Sequence, residues 1–320
     1  MSDACRTVFI GAVEEGRRCL EAMLAAEERF VGVVTLTDAL AARTSGAVGF
    51  DDLPASRGIP VVKVRDLNVS AGIEAVRELA PDLILVIGWT RLLGAEILKI
   101  PRLGCVGFHA SLLPRYRGRA PVNWAIINGE SETGNTLFFL DEGVDTGDVI
   151  DQRRIPIAYE DTCSTLYRKV ADSAVEMLAE HLPLLKQGRA ASRHQDHALA
   201  TVMPRRRPED GVIDWSCGSR RLYDWVRALT HPYPGAFAIL GGRRLFVWEA
   251  REASEPSGDA ARDAAPGTVL GVSGRDLLVA VGGGALALRR VQWDGEKETD
   301  GSELAALSGR RFEDSRRMAS

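Results

Sequence analysis

Residues 103–148 read LGCVGFHASLLPRYRGRAPVNWAIINGESETGNTLFFLDEGVDTGD. A short apolar run in this stretch ends at His109, and a turn bounded by proline follows it directly. Further along, an acidic turn that contains glycine carries Asp145. A polar residue at the end of a strand, facing a carboxylate from a nearby loop, is a common arrangement in the sites of α/β proteins. The stretch therefore predicts an α/β fold, with His109 and one carboxylate of the acidic turn (Asp141, Glu142, Asp145 or Asp148) as candidate site residues.

Short apolar runs precede this stretch and alternate with segments of helical spacing. Runs of this kind are typical of parallel strands that are buried on both faces of a sheet. The expected fold class is therefore α/β, with a doubly wound, mostly parallel sheet. A long amphipathic helix over 164–186 closes the first domain, which we place at residues 1–188. The predicted strands are 7–10, 30–36, 59–64, 82–87 and 106–109.

The remaining chain differs in pattern. Residues 189–208 are polar, contain three consecutive arginines and are interpreted as a linker. Residues 209–320 contain closely spaced short strands with glycine-rich turns, which favour a smaller, β-barrel-like C-terminal domain. Within it, residues 252–266 are expected to form a disordered loop.

Composition limits the classes of function. The chain has 320 residues, a formal net charge of −4 and a pI of about 5.8, which give no support to a broad nucleic-acid-binding surface. No run of about 18 apolar residues is present, so no membrane span is expected. The first residues have no signal-peptide pattern, and the five cysteines are scattered without a CxxC pair. We therefore predict a cytoplasmic protein with reduced thiols.

Two other motifs have a functional and an ordinary structural interpretation. The segment 11–16, GAVEEG, has the glycine spacing of a phosphate-binding loop, but arginines follow where lysine and serine or threonine are required. An ordinary strand-to-helix turn is the favoured interpretation, and no nucleotide is assigned to it. His194 and His197 are three residues apart, but no further ligand type clusters with them, so no metal site is predicted.

The motif FHASLLPRYRGRAPVNWAIINGESETG followed by DEGVDTGD resembles the signature of the folate-dependent formyltransferases. The similarity is dense over about residues 80–160, and RRPEDGVIDW and HPYPGAF extend it into the second domain. It implies transfer of a formyl group from N10-formyltetrahydrofolate to an amine. His109 and Asp145 match the catalytic histidine and aspartate of the family. An imidazole can stabilise an oxyanion or move a proton in such a transfer.

Gly107 departs from the pattern, because the family usually has asparagine two residues before the histidine. That asparagine is thought to polarise the formyl oxygen, and loss of one oxyanion donor typically costs about 10²–10³ in rate. Three interpretations are open: a backbone N–H or water replaces the amide, the space serves a different acceptor, or the protein binds folate without efficient turnover.

The resemblance also implies two groups of binding residues. The folate ring would lie between the loop after the central strand and the acidic turn, which contribute Gly88, Trp89, Leu93, Leu140, Asp141, Glu142, Gly143 and Val144. The acceptor would meet the segment after the histidine, at Ser111, Leu112, Leu113, Pro114, Arg117 and Arg119.

The acceptor is predicted to be an amino-sugar nucleotide. Residues 36–53, where the tRNA enzymes have a basic insertion, contain one arginine and three aspartates. Arg119 follows Gly118 in a motif that resembles the sugar-nucleotide enzymes, and an arginine there can pair with a phosphate. Methionyl-tRNA is kept as the less favoured alternative acceptor, and a non-enzymatic folate- or nucleotide-binding role as the alternative of a different class. A homodimer is possible.

Overall fold

The computed structural model describes residues 5–253 and 263–314, and the chain divides into two compact units. Neither unit is a continuous segment. The first unit comprises Met1–Pro121, Glu132–Pro156 and Leu166–Pro204, and the second comprises Val122–Ser131, Ile157–Thr165 and Arg205–Ser320.

The first unit is built on strands separated by helices, with a short strand pair beside the main sheet. Its strands are β1 (Thr7–Ile10), β2 (Gly32–Leu36), β3 (Val61–Val64), β4 (Leu83–Val86), β5 (Cys105–His109), β6 (Arg117–Gly118), β7 (Glu132–Phe139), β8 (Val149–Pro156) and β9 (Val202–Met203). Its helices are α1 (Glu14–Ala25), α2 (Asp38–Ala41), α3 (Asp52–Ala55), α4 (Ser70–Glu78), α5 (Ala95–Leu98) and most of α7 (Cys163–Lys186). Helix α6 (Pro121–Ile127) lies almost entirely in the second unit.

The main sheet has the order β3-β2-β1-β4-β5-β7-β8. Strands β1 to β5 pair in parallel, whereas β7 and β8 are antiparallel to their neighbours. Every residue of β1, β2 and β4 is buried, as expected for parallel strands that are covered on both faces. The predicted doubly wound, mostly parallel sheet is thus confirmed. The strand order reverses between β1 and β4, so ligands are expected beyond the carboxyl ends of these central strands.

Each face of the sheet packs against its own apolar cluster. On one face, Leu20 of α1 and Met177 of α7 pack with Leu85 of the sheet. On the other face, Val76 of α4 and Ile97 of α5 pack with Ile84. Successive residues of a strand point to opposite faces, so the neighbours Ile84 and Leu85 belong to different clusters.

The elements of the second unit are α8 (Ser219–Leu229), β10 (Ala236–Leu240), β11 (Arg243–Glu252), β12 (Val269–Ser273), β13 (Asp276–Val281), β14 (Gly284–Trp293) and β15 (Thr299–Asp300). The strands form an antiparallel sheet with the order β10-β11-β14-β13-β12, in which β15 also pairs with β14. Helix α8 packs on β11, with Leu222 and Val226 buried.

The polar segment that we predicted as a linker is largely part of the first unit. Strand β9 pairs in parallel with β6, and the N–H of Arg117 donates to the carbonyl of Thr201 at 2.8 Å. These backbone bonds join residues 189–204 to the first unit, whereas the three arginines begin the second. The prediction of disorder over 252–266 falls mainly on 254–262, outside the described residues. Among the described residues, no helix is both long and apolar enough to cross a membrane.

Candidate active site

His109 is the last residue of β5 and lies beside Thr136 of β7 in the sheet. Its side chain is buried, with only 7 % of the residue exposed. The ring atom Nε2 lies 2.7 Å from the carbonyl oxygen of Tyr116, and Nδ1 lies 3.6 Å from Oδ2 of Asp145. The structure therefore brings together the two residues that the sequence singled out.

The contact with Tyr116 assigns the protons of the His109 ring. A carbonyl oxygen only accepts hydrogen bonds, so Nε2 carries a proton and donates it. In the neutral ring, Nδ1 then holds a lone pair that faces the carboxylate of Asp145. When Nδ1 gains a proton, the same carboxylate stabilises the imidazolium. Nδ1 is thus the atom that can accept and release a proton.

Asp145 is held in the acidic turn by its backbone and its side chain. Its Oδ2 accepts a hydrogen bond of 2.8 Å from the backbone N–H of Gly118. Its φ is +53°, in the left-handed region, where aspartate is better tolerated than most residues. Tyr116 also has a positive φ, so both residues that contact the ring nitrogens of His109 have strained backbones.

A buried glutamine connects the acidic turn to the segment after His109. The side-chain amide of Gln195 donates to the carbonyls of Asp145, at 3.0 Å, and of Gly147, at 2.7 Å. Its Oε1 accepts from Nε and Nη2 of Arg117, at 3.2 and 2.6 Å. The same Nη2 donates to Nδ1 of His197 at 2.9 Å. Gln195 and Arg117 were not predicted to act together, because they are 78 residues apart in sequence.

The turn 111–114 is built mainly for structure. The hydroxyl of Ser111 is buried and donates to the carbonyl of Arg115 at 2.7 Å. Leu113 is also buried, and its N–H donates to Oγ1 of Thr136. Arg117 is buried with its guanidinium engaged as described, whereas Arg119 is exposed. Of the predicted acceptor residues, Arg119 presents the most accessible side chain, and acceptor contact remains a prediction for all six.

The two loops predicted to hold the folate ring meet on one apolar cluster. Trp89, after β4, and Leu140, before the acidic turn, both pack against the cluster that contains Val86 and the buried Leu93. The indole nitrogen of Trp89 is enclosed and donates to no described residue. Apolar walls with an unused N–H donor fit a flat ring with polar edges. Contact of these residues with the folate ring remains a prediction.

The acidic turn itself is largely exposed, including Asp141, Glu142, Gly143 and Val144. Oδ1 of Asp141 accepts from the N–H of Gly143 at 3.1 Å and from Oγ1 of Thr146 at 2.7 Å. Asp141 therefore stabilises the turn, while Val144 is 43 % exposed and available for contact.

The space next to Gly107 is closed. A Cβ at this position would lie 2.9 Å from the carbonyl oxygen of Val86 and 3.2 Å from Cδ2 of Leu140. A larger side chain thus meets a backbone atom that has little freedom to move. The nearest neighbours of this position are the carbonyl oxygen of Val86 and the side chain of Leu140, neither of which can donate a hydrogen bond.

Two family models match the chain: one described as formyl transferase over residues 29–182, and one as formyl transferase, C-terminal domain, over residues 206–308. A methionyl-tRNA formyltransferase of Citrifermentans bemidjiense is 37 % identical over 308 residues, which cover 94 % of this chain and 93 % of that protein. A methionyl-tRNA formyltransferase of Geotalea uraniireducens is 40 % identical over 233 residues, 73 % of this chain and 72 % of that one.

The chain belongs to the folate-dependent formyltransferase family. It is an enzyme of that family, as the resemblance of residues 103–148 implied. Solved structures have the same fold. HypX from Aquifex aeolicus in complex with tetrahydrofolic acid is 21 % identical and covers 94 % of this chain and 47 % of that one, with a TM-score of 0.67. An N-formyltransferase from Helicobacter canadensis, in complex with folinic acid and dTDP-3-aminofucose, is 17 % identical, covers 89 % and 98 %, and has a TM-score of 0.68.

The comparison corrects the predicted acceptor of this formyltransferase. The acidic segment 36–53 and Arg119 predict an amino-sugar nucleotide in preference to tRNA. Relatives at 34–40 % identity are methionyl-tRNA formyltransferases, whereas the sugar N-formyltransferase resembles this chain at 17 % identity and shares the fold. The predicted acceptor was wrong because net charge and a single arginine do not show where positive charge lies on the surface.

The glycines of the segment 11–16 serve packing. A Cβ at Gly11 would lie 2.8 Å from the carbonyl oxygen of Ile87, and a Cβ at Gly16 would lie 2.3 Å from the same atom. Both glycines therefore let α1 approach the end of β4. This explanation agrees with the favoured interpretation as an ordinary strand-to-helix turn.

One group of side chains in the formyltransferase has metal-ligand types. Ligand atoms of Asp151, Glu180 and His181 lie within 4.8 Å of one another. Arg153 contacts both carboxylates, at 3.1 Å for Asp151 and closely for Glu180, while His181 Nε2 lies 3.0 Å from Asp151. The arginine neutralises the site that a cation would occupy.

The features that sequence reasoning missed are Gln195, Thr201 and the backbone groups of Tyr116 and Gly118. Thr201 accepts from the N–H of Tyr116 through Oγ1 at 2.8 Å. A backbone group carries no signal in the residue type. Gln195 gave one weak signal: it is a lone amide in a polar segment, which is typical of any exposed loop.

Proposed function

We propose that this formyltransferase moves the formyl group of N10-formyltetrahydrofolate to the amine of methionyl-tRNA. The observation that carries this proposal is the end-to-end similarity to methionyl-tRNA formyltransferases, which extends through the second unit. Exposed arginines at the start of the second unit, Arg205 and Arg207, are compatible with a phosphate backbone. A cytoplasmic location and a homodimer remain predictions.

His109 and Asp145 are the proposed catalytic residues. The folate supplies the formyl group as an activated amide that the acceptor amine can attack. Nδ1 of His109 is the proton-accepting atom, because Nε2 is held by the carbonyl of Tyr116. The carboxylate of Asp145 would stabilise the charged ring from 3.6 Å. A buried, preorganised pair of this kind needs little rearrangement during the reaction.

The folate ring is proposed to lie against Trp89 and Leu140, as predicted from the sequence. Supporting this placement is the shared apolar cluster, and the indole N–H has no acceptor among the described residues. Gly88, Leu93 and the exposed residues 141–144 complete the proposed slot. Replacement of Trp89 by Phe should weaken binding of folinic acid while preserving the apolar wall, as measured by titration calorimetry.

Leu140 lies beside Gly107, the position at which the family usually has asparagine. Because it occupies the space beside Gly107, the donor that polarises the formyl oxygen must come from another direction. The neutral ring of His109 does not fill that role, because its one N–H already donates to the carbonyl of Tyr116. Loss of one oxyanion donor typically lowers a rate by about 10²–10³.

The acceptor is tested by following tetrahydrofolate release with purified protein. One arm contains methionyl-tRNA, a second contains uncharged tRNA, and a third contains a panel of amino-sugar nucleotides. We expect turnover only with methionyl-tRNA and a KM that rises with salt, because a tRNA acceptor releases counterions on binding. Turnover on a sugar nucleotide but not on tRNA would overturn the proposal. Folate binding without turnover in any arm would favour the interpretation that Gly107 marks an impaired enzyme.

A further inference from the structure

The segment 191–200 contains a single buried residue. Gln195 is 5 % exposed, although residues 191–194 and 196–199 on either side of it are exposed. Burial of an amide side chain is costly unless its donors and acceptor are satisfied. The buried amide of Gln195 must therefore have hydrogen-bond partners within the first unit.

The hydrogen-bond partners of the Gln195 amide fix its orientation. Arg117 has only donors, so Oε1 must face it, and the two carbonyls accept, so Nε2 must face them. The amide cannot rotate by 180° without placing donors against donors. Gln195 consequently locks the carbonyls of Asp145 and Gly147 at a fixed distance from the guanidinium of Arg117.

The other end of this connection reaches His109. Arg117 lies between Tyr116, whose carbonyl accepts from His109, and Gly118, whose N–H holds the carboxylate of Asp145. Arg117 is fixed at its backbone by Thr201 and at its side chain by Gln195. Both members of the catalytic pair therefore depend on one buried arginine–glutamine contact.

We propose that Gln195, held by Arg117, is a positioning residue for formyl transfer that sets the Asp145 carboxylate against His109. It touches neither of the reacting groups. The inference rests on the proposed catalytic roles of His109 and Asp145, but it does not depend on which amine is the acceptor. Asp145 has a left-handed backbone, which persists only when its surroundings hold it, and Gln195 supplies one of those restraints.

Two variants of Gln195 separate positioning from packing. Gln195→Leu removes the amide, whereas Gln195→Glu keeps an acceptor for Arg117 but places a carboxylate oxygen against two carbonyls. Both should lower kcat by about 10- to 100-fold with little change in KM for the folate, because a misplacement near 1 Å can cost that much. A role limited to holding Arg117 would be rescued by glutamate, and recovery of kcat in Gln195→Glu would overturn the proposal.

The matched control is Asn135→Leu. Asn135 is also a buried amide of the first unit, and it donates to the carbonyl of Val170 and to Oγ of Ser173. It is expected to lower the melting temperature without lowering kcat at a temperature where the variant is folded. An equal loss of kcat in the Asn135 and Gln195 variants would identify a general effect of stability and overturn the proposal.

A second measurement needs no acceptor. The N–H of Gly118 donates to Asp145, so its hydrogen-exchange rate by NMR reports whether the carboxylate stays in place. We expect exchange at least 10-fold faster in Gln195→Leu and unchanged in Asn135→Leu. An unchanged rate in Gln195→Leu would contradict the positioning role. If the wild-type protein failed to formylate methionyl-tRNA, the proposed acceptor would be wrong, while this exchange rate would still decide the role of Gln195.

Discussion

Two turns of this formyltransferase are similar in sequence, but the carboxylates in them have different partners. GAVEEG, residues 11–16, and DEGVDTGD, residues 141–148, both follow apolar runs and combine glycine with carboxylates. In the first turn, the Glu15 oxygen Oε1 is enclosed and accepts from no described residue. In the second, Asp145 accepts from Gly118 and faces His109. Glycine spacing thus indicates close packing in both turns, and the partners of the carboxylate distinguish the turn that is proposed to be catalytic.

The largest effect on kcat should come from replacing His109, the residue that faces the Asp145 carboxylate of the second turn. His109→Ala removes the proposed proton-accepting atom, and kcat should fall at least about 100-fold. The measurement is tetrahydrofolate release under saturating substrates. His181→Ala is the matched control, because it removes another histidine paired with an aspartate, Asp151, in the same unit. Wild-type turnover of His109→Ala would refute the catalytic assignment.

The carboxylate of the first turn should affect stability. Burial raises the pKa of Glu15 from 4.5 to about 7. Between these values the folded protein binds more protons than the unfolded chain, so the contribution of Glu15 to stability falls as pH rises from about 4.5 to 7. Above pH 7, the ionised group costs at most about 3 kcal/mol. Glu15→Gln should therefore raise the free energy of unfolding at pH 8 and change it little at pH 4.5.

Urea unfolding at both pH values measures this difference. Glu14→Gln is the control, because Glu14 is the neighbouring carboxylate and is exposed. The same pH dependence in Glu15→Gln and wild type would show that Glu15 is not the buried titrating group.

The glycines sharpen the comparison further. A Cβ at Gly147 would lie 1.8 Å from the carbonyl oxygen of Phe139, and a Cβ at Gly16 would lie 2.3 Å from that of Ile87. Gly147→Ala and Gly16→Ala should each lower the free energy of unfolding by about 2 kcal/mol. Only Gly147→Ala should also reduce kcat at a temperature where both variants are folded, because the Gly147 carbonyl binds Gln195. An equal loss of kcat in the two variants would contradict a specific role of the second turn in the reaction.

The smallest effect concerns the missing asparagine. Gly107→Asn must displace Leu140 and press on the carbonyl of Val86, so it should lower stability by about 1–2 kcal/mol. The double variant Gly107→Asn/Leu140→Ala should recover part of that loss, because the Leu140 contact is then gone. Thermal unfolding of the two variants and of Leu140→Ala measures the coupling. Additive losses would exclude Leu140 as the residue that closes the space.

The sequence was sufficient for the layered fold and for bringing forward His109 and Asp145, which lie together in the structure. The apolar runs around β1, β4 and β5 predicted buried parallel strands, since a strand covered on both faces contains few polar residues. His109 stands at the end of such a run, and Asp145 was assigned through the family resemblance. Strands β2 and β3 begin two residues later than predicted, because the apolar pattern does not mark where pairing begins.

The sequence alone determined the sheet, the family resemblance, the proposed catalytic pair and the departure at Gly107, because each of these depends on local pattern and residue type. Only the tertiary structure decided that Arg117 faces inward, that Leu140 closes the space beside Gly107, and that Gln195 supports Asp145. Each of these depends on contacts between segments that are 33 to 78 residues apart. Local spacing carries no information about such contacts, since the folded sheet alone brings the segments together.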